Sequence, residues 1–448
     1  MIIDFSVRNY CSVNDTVTLS FLPKSGIKDL EDIYLLRPIE GLQLLKFGTI
    51  LGANASGKTT ILRSLEIMRM LVCDPYGNKN RRLPFYTPYW FAPQTEEPTE
   101  LTIRFVASGC MFQYVVAFNS RFVVSERLRT YDKTWRIIYS RETNEELQTV
   151  KIKTGPIYIH YKEDLKQLEK VTLWNNTVLG GSLKMSINIP EIHSVTTWFN
   201  DYLYPMIDPD TNLYGYVSNL IDQGQIDKNR LLSYLRGADM MIEDLVVKKD
   251  SWENLDEKMR MQLIESNKDM SLEEIKEKFP VRHVEFIHSN GESRINVDYV
   301  EESLGTQRFY QLCGVLDMLL NKNCMFYIDE IDSSIHPDLL EYLLITFLLN
   351  SKESQLLIST HHREWLMRKE YVRPDSVWFT EKYDDGSTQL YRLSDFAGVS
   401  RFERSVSYYD AYRNGLLGAT PSIRSFILES DGKDRRGNMG LELEKEEK

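Results

Sequence analysis

A chain of 448 residues holds enough material for two or three domains and a sizeable core. Its 42% hydrophobic and 27% charged residues are the balance of a soluble globular protein, and no apolar run approaches the roughly 18 residues that span a bilayer. A net charge of −11 excludes a globally basic nucleic-acid binder, although a local basic groove stays open.

Residues 2–7 alternate as a half-buried strand does, and residues 17–21 form a second strand. The apolar run Phe47-Gly48-Thr49-Ile50-Leu51 then leads directly into Gly52-Ala53-Asn54-Ala55-Ser56-Gly57-Lys58-Thr59, which spells G-x-x-x-x-G-K-T. A buried strand, a glycine turn and a helix start in succession let backbone N–H groups converge on phosphate oxygens at the positive end of a helix. The nucleotide-binding candidates are therefore Gly52, Asn54, Ala55, Ser56, Gly57, Lys58, Thr59 and Thr60. Lys58 would reach the β- and γ-phosphates of a nucleoside triphosphate, and the Thr59 hydroxyl would complete the shell of a Mg²⁺ ion.

The helix after Lys58 runs to about residue 72, where Asp74-Pro75-Tyr76-Gly77 stops it. Residues 84–98, punctuated by four prolines, are an irregular connection that includes Gln94. Residues 101–106, 112–118 and 121–124 read as an antiparallel meander, and strand character fades after residues 157–160. Helical spacing dominates residues 190–280, and Ser271-Leu272-Glu273-Glu274 has the order of a capping box. No heptad persists long enough for a coiled coil. Strands return at 284–288 and 295–297. A helix at 306–321, a strand at 324–328, a helix at 338–349 and a strand at 355–359 follow, the order of a parallel sheet with helices on its faces. The charged tail 433–448 reads as disordered. Five scattered cysteines and an N-terminus without the features of a signal peptide point to a reduced, cytoplasmic protein. Seven histidines show no metal-ligand spacing.

Met325-Phe326-Tyr327-Ile328-Asp329-Glu330 is an apolar strand ending in two carboxylates. Behind a P-loop, Asp329 is placed to hold the Mg²⁺ water shell and Glu330 to orient or deprotonate an attacking water. Glu302-Ser303-Leu304-Gly305-Thr306-Gln307 opens a helix, where a serine and a glycine make a second anion site; a plain N-cap at Ser303 is the alternative. Leu356-Leu357-Ile358-Ser359-Thr360-His361 is a buried strand ending in a histidine placed to sense a γ-phosphate, against the alternative of a satisfied strand-end residue. The order and spacing of these pieces favour the functional reading of each.

That order, P-loop, S-x-G-x-Q, apolar-Asp-Glu, Ser-Thr-His, resembles the ABC-type ATPase head of the SMC, Rad50 and overcoming-lysogenization-defect (OLD) proteins, and most closely the compact AAA-15/AAA-21-type members of bacterial phage-defence and abortive-infection systems. Further residues carry the likeness: Phe5-x-Val7-x-Asn9-Tyr10-x-Ser12, Ala238-Asp239-Met240-Met241-Ile242-Glu243-Asp244 and Tyr412-Arg413-Asn414-Gly415-Leu416-Leu417-Gly418-Ala419-Thr420-Pro421. The resemblance implies an α/β fold: a mixed β-sheet with a parallel P-loop core, an antiparallel β-subdomain and a helical insertion. It implies ATP and Mg²⁺ as cofactors, with Lys58, Thr59, Asp329, Glu330 and His361 of one copy facing Ser303, Gly305 and Gln307 of another, and hence a homodimer or larger homo-oligomer. Glu330 and His361 would be the catalytic pair, Thr59 and Asp329 the Mg²⁺ ligands, and Gln94 a candidate for the Q-loop position. His336 stands where many such heads carry the D-loop aspartate.

The expected organisation is an N-terminal ATPase lobe (1–160), a mostly helical insertion (161–280), a C-terminal ATPase lobe (281–395), a C-terminal segment (396–432) and the tail. OLD-type proteins carry a Toprim nuclease, whereas the residues after His361 hold no spaced acidic cluster on a strand pattern. A nuclease-like effector would then be a separately encoded partner, and the chain the ATP-dependent sensor or scaffold subunit of an anti-phage system, with no membrane partner. The alternative reading is an SMC/Rad50-like ATPase subunit of a DNA-processing or repair complex, to which the acidic net charge gives no support.

Overall fold

The computed structural model describes residues 1–92, 97–238, 240–255, 257–267, 270–396 and 407–421. Gln94, Asp239 and the tail 433–448 lie outside the described residues, as does most of the segment 396–432.

Strands β1 (Ile2–Arg8) and β2 (Val17–Ser20) pair antiparallel, and a hairpin of β3 (Leu35–Ile39) and β4 (Leu42–Leu45) leads into β5 (Phe47–Gly52). All six residues of β5 are buried, as a strand covered on both faces requires. After the helix Lys58–Cys73 come β6 (Thr99–Ala107), β7 (Cys110–Phe118), β8 (Val123–Asp132), β9 (Thr134–Asn144) and β10 (Thr149–Thr154). They form an antiparallel meander whose first strand joins β1, giving a seven-stranded sheet in the order β10-β9-β8-β7-β6-β1-β2. The expected meander is present and two strands longer than the sequence showed. Residues 157–160, expected at the end of the strand-rich region, belong instead to a 3₁₀ helix, Pro156–Tyr161. Pro156 supplies a φ suited to a helix start and no N–H for a ladder.

Helices occupy much of 162–237, and Ser271 and Glu274 make the expected capping box. The helical stretch is interrupted, however, by β11 (Ile242–Lys249), which pairs with β12 (Arg282–Ser289), itself paired with β13 (Arg294–Asp298). The run Ile242-Glu243-Asp244-Leu245-Val246-Val247 alternates only loosely, and its partner strand lies some 40 residues on, so local spacing gave little sign of it. This small sheet crosses the boundary expected near residue 280.

The C-terminal half supplies β14 (Met325–Ile328), β15 (Gln355–Ser359), β16 (Val377–Lys382) and β17 (Thr388–Arg392). With β5 they form the core sheet in the order β14-β15-β5-β16-β17, parallel except for β17. The helix Lys58–Cys73 buries Ile61, Leu62, Leu65, Met68 and Val72, and the helix Pro337–Asn350 buries Leu340, Leu344, Phe347 and Leu348. The Phe47 ring meets Phe347 and Trp365 at centroid distances of 6.4 and 6.2 Å. Beyond β14, residues 203–208 run parallel to it as an irregular edge: Tyr204 N–H donates to Met325 O, Ile207 N–H to Tyr327 O, and Asp329 N–H to Ile207 O. No helix among the described residues is long and apolar enough to cross a membrane.

One buried network ties the meander to the helices after it. The Glu126 carboxylate accepts from Tyr114 OH (2.9 Å), Tyr139 OH (2.6 Å) and Val178 N–H (2.7 Å), with the buried Arg141 guanidinium nearby and donating to Trp174 O. Desolvation pushes the Glu126 carboxyl up, and Arg141 and the hydroxyl donors oppose it. Glu126→Ala leaves a buried cation and three donors unpaired. Urea titration should show it less stable by about 3–5 kcal/mol.

Candidate functional site

The loop after β5 turns where side chains cannot fit. A Cβ on Gly52 would lie 2.5 Å from Thr380 Oγ1 and 2.6 Å from Thr380 O. Gly57 has φ +110°, and a Cβ there would lie 2.4 Å from Thr388 Oγ1. Those threonines buttress the loop: Ser56 Oγ is 2.6 Å from Thr380 Oγ1, and Thr388 Oγ1 lies 2.9 Å from Ser56 O and 2.8 Å from Ser12 Oγ. Thr388 N–H donates to Ser12 O, and Ala53 N–H to Ala419 O.

Lys58 begins the helix and is buried, its ammonium folded back to donate to Gly52 O (2.9 Å) and Ala53 O (3.1 Å). Burial pushes the Lys58 ammonium below its ordinary value, opposed by Glu330, Asp329 and Asp332. A cation so placed, at a helix N-terminus and short of water, gains most from an anion.

In front of the loop lies a cavity of about 500 Å³. Asn54, Ala55, Ser56, Gly57, Lys58, Thr59 and Thr60 line it, and so do Glu330 and His361. The structure thus gathers the P-loop, the second strand-end carboxylate and the histidine around one space. His361 Nε2 is 3.8 Å from a Glu330 carboxylate oxygen, and the His361 backbone N–H donates to the Asp332 carboxylate. Glu330 has φ +43°, a left-handed conformation rare for such a side chain, and its N–H donates to Ser359 Oγ at 2.9 Å. This turn carries the Glu330 carboxylate, 45% exposed, into the cavity.

Asp329 does not line the cavity; it is 3% exposed and accepts from the Ser359 hydroxyl. Among the described residues no group of three or more His, Cys, Asp or Glu side chains could cage a metal ion. The exposed Thr59 hydroxyl and the Asp329 carboxylate are oxygen donors of the kind Mg²⁺ takes, an ion that uses few protein ligands and completes its shell with phosphate oxygens and water.

Ser303, Gly305 and Gln307 are not brought to this cavity. Ser303 caps the helix Leu304–Asn321, accepting from Thr306 N–H at 3.1 Å, and is exposed like Leu304. Gln307 Nε2 donates to Glu302 O, and a Cβ on Gly305 would come no closer than 3.5 Å to Ser334 O, so this end of the helix has room on its outer side. His336 caps the helix Pro337–Asn350, its Nδ1 accepting from Asp338 N–H at 3.3 Å.

Sequence reasoning missed four residues. Ser12, Trp90 and Lys382 complete the cavity lining. Asp208 stands beside Asp329, because Ile207 and Ile328 are paired in parallel register, and it forms an ion pair with Arg63 of the P-loop helix at 2.7 Å. Its signal was the short run Tyr204-Pro205-Met206-Ile207-Asp208, a carboxylate after an apolar stretch that Pro205 disguised. For Trp90 it was the aromatic triplet Tyr89-Trp90-Phe91 within a proline-rich loop.

Residues 237–366 match the family model described as "AAA domain, putative AbiEii toxin, Type IV TA system". The matched stretch carries Ser303, Asp329, Glu330 and His361, while the P-loop lies before it. That stretch is therefore similar to an AAA domain. The fold, a parallel P-loop core with an antiparallel subdomain, is the mixed α/β arrangement expected from the sequence. Among solved structures, the SMC head domain from Thermotoga maritima is 10% identical, with a TM-score of 0.38 over 87% of this chain and 98% of that one. An SMC head bound to the C-winged helix domain of ScpA is 11% identical, with a TM-score of 0.44 over 87% and 97%. The Smc head domain with an extended coiled coil bound to the C-terminal domain of ScpA, derived from Pyrococcus furiosus, is 11% identical, with a TM-score of 0.38 over 90% and 99%. No curated protein matches the chain.

Gly57→Ala should keep the overall fold, at a cost of about 1–3 kcal/mol for the strained φ, yet displace the loop from Thr388. Calorimetric titration with Mg²⁺·ATP should show affinity reduced on the order of tenfold or more.

Proposed function

We propose that the chain is a Mg²⁺-dependent ATPase in which ATP closes two copies against each other and the closed state governs a separately encoded effector. The observation that carries the reading is the assembly of the P-loop, Glu330 and His361 around one cavity, with the Ser303–Gln307 helix start left exposed outside it. Backbone N–H groups of 54–58 and the Lys58 ammonium hold the β- and γ-phosphates. Thr59 and Asp329 would hold Mg²⁺, with Asp208 a second carboxylate on that side; bound there, the ion would supply charge neutralisation to the phosphates. Glu330 orients the attacking water and accepts its proton. His361, 3.8 Å from Glu330, faces the same water and the γ-phosphate. A second copy supplies Ser303, Gly305 and Gln307 to complete the phosphate cradle.

The family description names a toxin of a type IV toxin–antitoxin system, which supports a place in defence rather than in general metabolism. A Toprim-type nuclease is one effector such a scaffold would restrain.

Glu330→Gln should bind ATP and hydrolyse it about 10²–10⁴-fold more slowly, accumulating a dimer or larger species in size-exclusion chromatography with light scattering. Lys58→Ala should bind no ATP and stay in the apo assembly. Wild-type hydrolysis in both variants would refute the site. Strong stimulation of the wild-type rate by duplex DNA, lost as salt rises, would move the reading to a DNA-processing ATPase.

A further inference from the structure

Trp90 is 59% exposed, although the backbone that carries it is firmly held. Its N–H donates to Cys11 O at 3.1 Å, and Cys11 N–H donates to Thr87 O at 2.8 Å. Its neighbours anchor the loop without it. Tyr89 N–H donates to Asn9 Oδ1 and Tyr89 OH to Asp385 O, while the Phe91 ring covers Gly386. The indole itself stacks on no ring and makes no hydrogen bond among the described residues. The mount is tied to the phosphate loop as well, because Ser12, next to Cys11, lies 2.8 Å from Thr388 Oγ1 and 3.4 Å from Thr60 Oγ1. A large flat side chain on a rigid support, bare of contacts and lining the P-loop cavity, has an unused face.

We propose that Trp90 is the platform on which the nucleobase stacks, and that the site reads the base by its flat face rather than by its edges; the inference rests on the nucleotide reading above. Among the described residues, apart from the P-loop and the Glu330–His361 end, the polar side chains of the cavity are Ser12 and Lys382. The Ser12 hydroxyl is already engaged, and Lys382, which has no ion-pair partner among the described residues, suits a phosphate or ribose oxygen better than a base edge. Stacking is available to every base and strongest for the larger purines. Discrimination of 10⁴-fold or so needs buried groups that pair with the base edge, and among the described residues this lining offers none outside the P-loop. ATP and GTP therefore bind alike, with CTP and UTP weaker.

The test is calorimetric titration of the full chain, in Mg²⁺, with ATP, GTP, CTP, UTP and inorganic tripolyphosphate, for wild type, Trp90→Ala, Trp90→Phe and Lys58→Ala. Trp90→Ala should lose about tenfold in ATP and GTP affinity and keep its tripolyphosphate affinity, Trp90→Phe should recover most of the loss, and Lys58→Ala should lose every ligand. Wild-type ATP affinity in Trp90→Ala, an equal loss of tripolyphosphate, or wild-type GTP binding more than about a hundredfold weaker than ATP would overturn the proposal. A wild-type chain that binds neither ATP nor tripolyphosphate would overturn the nucleotide reading itself, and this inference with it.

Discussion

The phosphate loop can exist in its present shape only because Gly52 and Gly57 lack side chains, which leaves room for two threonine hydroxyls where a Cβ would stand. Thr380 ends its contact at Ser56, and Thr388 joins Ser56 O to Ser12. One short cluster of hydroxyls thereby connects β5, β16, β17 and the turn after β1. Any movement of the loop is felt in both sheets, since β17 belongs to the core sheet and the Ser12 turn to the edge of the antiparallel one.

The Glu330–His361 end of the cavity depends on another hydroxyl. Ser359 at the end of β15 donates to the Asp329 carboxylate and accepts from Glu330 N–H, so one side chain fixes the two acidic residues in opposite senses. Asp329 is kept buried and oriented. Glu330 is turned outward through a left-handed backbone, the conformational cost of which is of order 1–3 kcal/mol. His361, two residues beyond Ser359, is steadied by Asp332 from the same turn. The serine before the histidine thus matters to the geometry as much as the histidine does.

Much of this was legible because the informative residues follow one another in the chain. A strand, a glycine loop and a helix occupy 47–73 without interruption, and the helix–strand–helix–strand run from 304 to 359 has spacing clear enough to read almost to the residue. What escaped detection depends on contacts between distant segments. Strand β11 is defined by its partner β12, and Asp208 gains meaning only when Ile207 lies against Ile328. Trp90 looked like part of a proline-rich loop because its partner, the turn at Asn9–Ser12, is nearly eighty residues away. The Glu126 network was invisible for the same reason: nothing in a strand sequence announces that a carboxylate will be met by two tyrosines.

The strand order of the core sheet has a consequence for how the protein is made. β5 emerges early, but the strands on either side of it, β15 and β16, come from residues 355–382, and even Ile2 is bonded to the Gln355 side chain at both its N–H and its carbonyl. At roughly 5–20 residues per second of synthesis, the apolar strand that carries the phosphate loop waits some tens of seconds for its neighbours. During that interval its unpaired edges are open to the wrong partners. Protection of the nascent chain, by the ribosome surface or by a chaperone, is therefore part of what this topology demands.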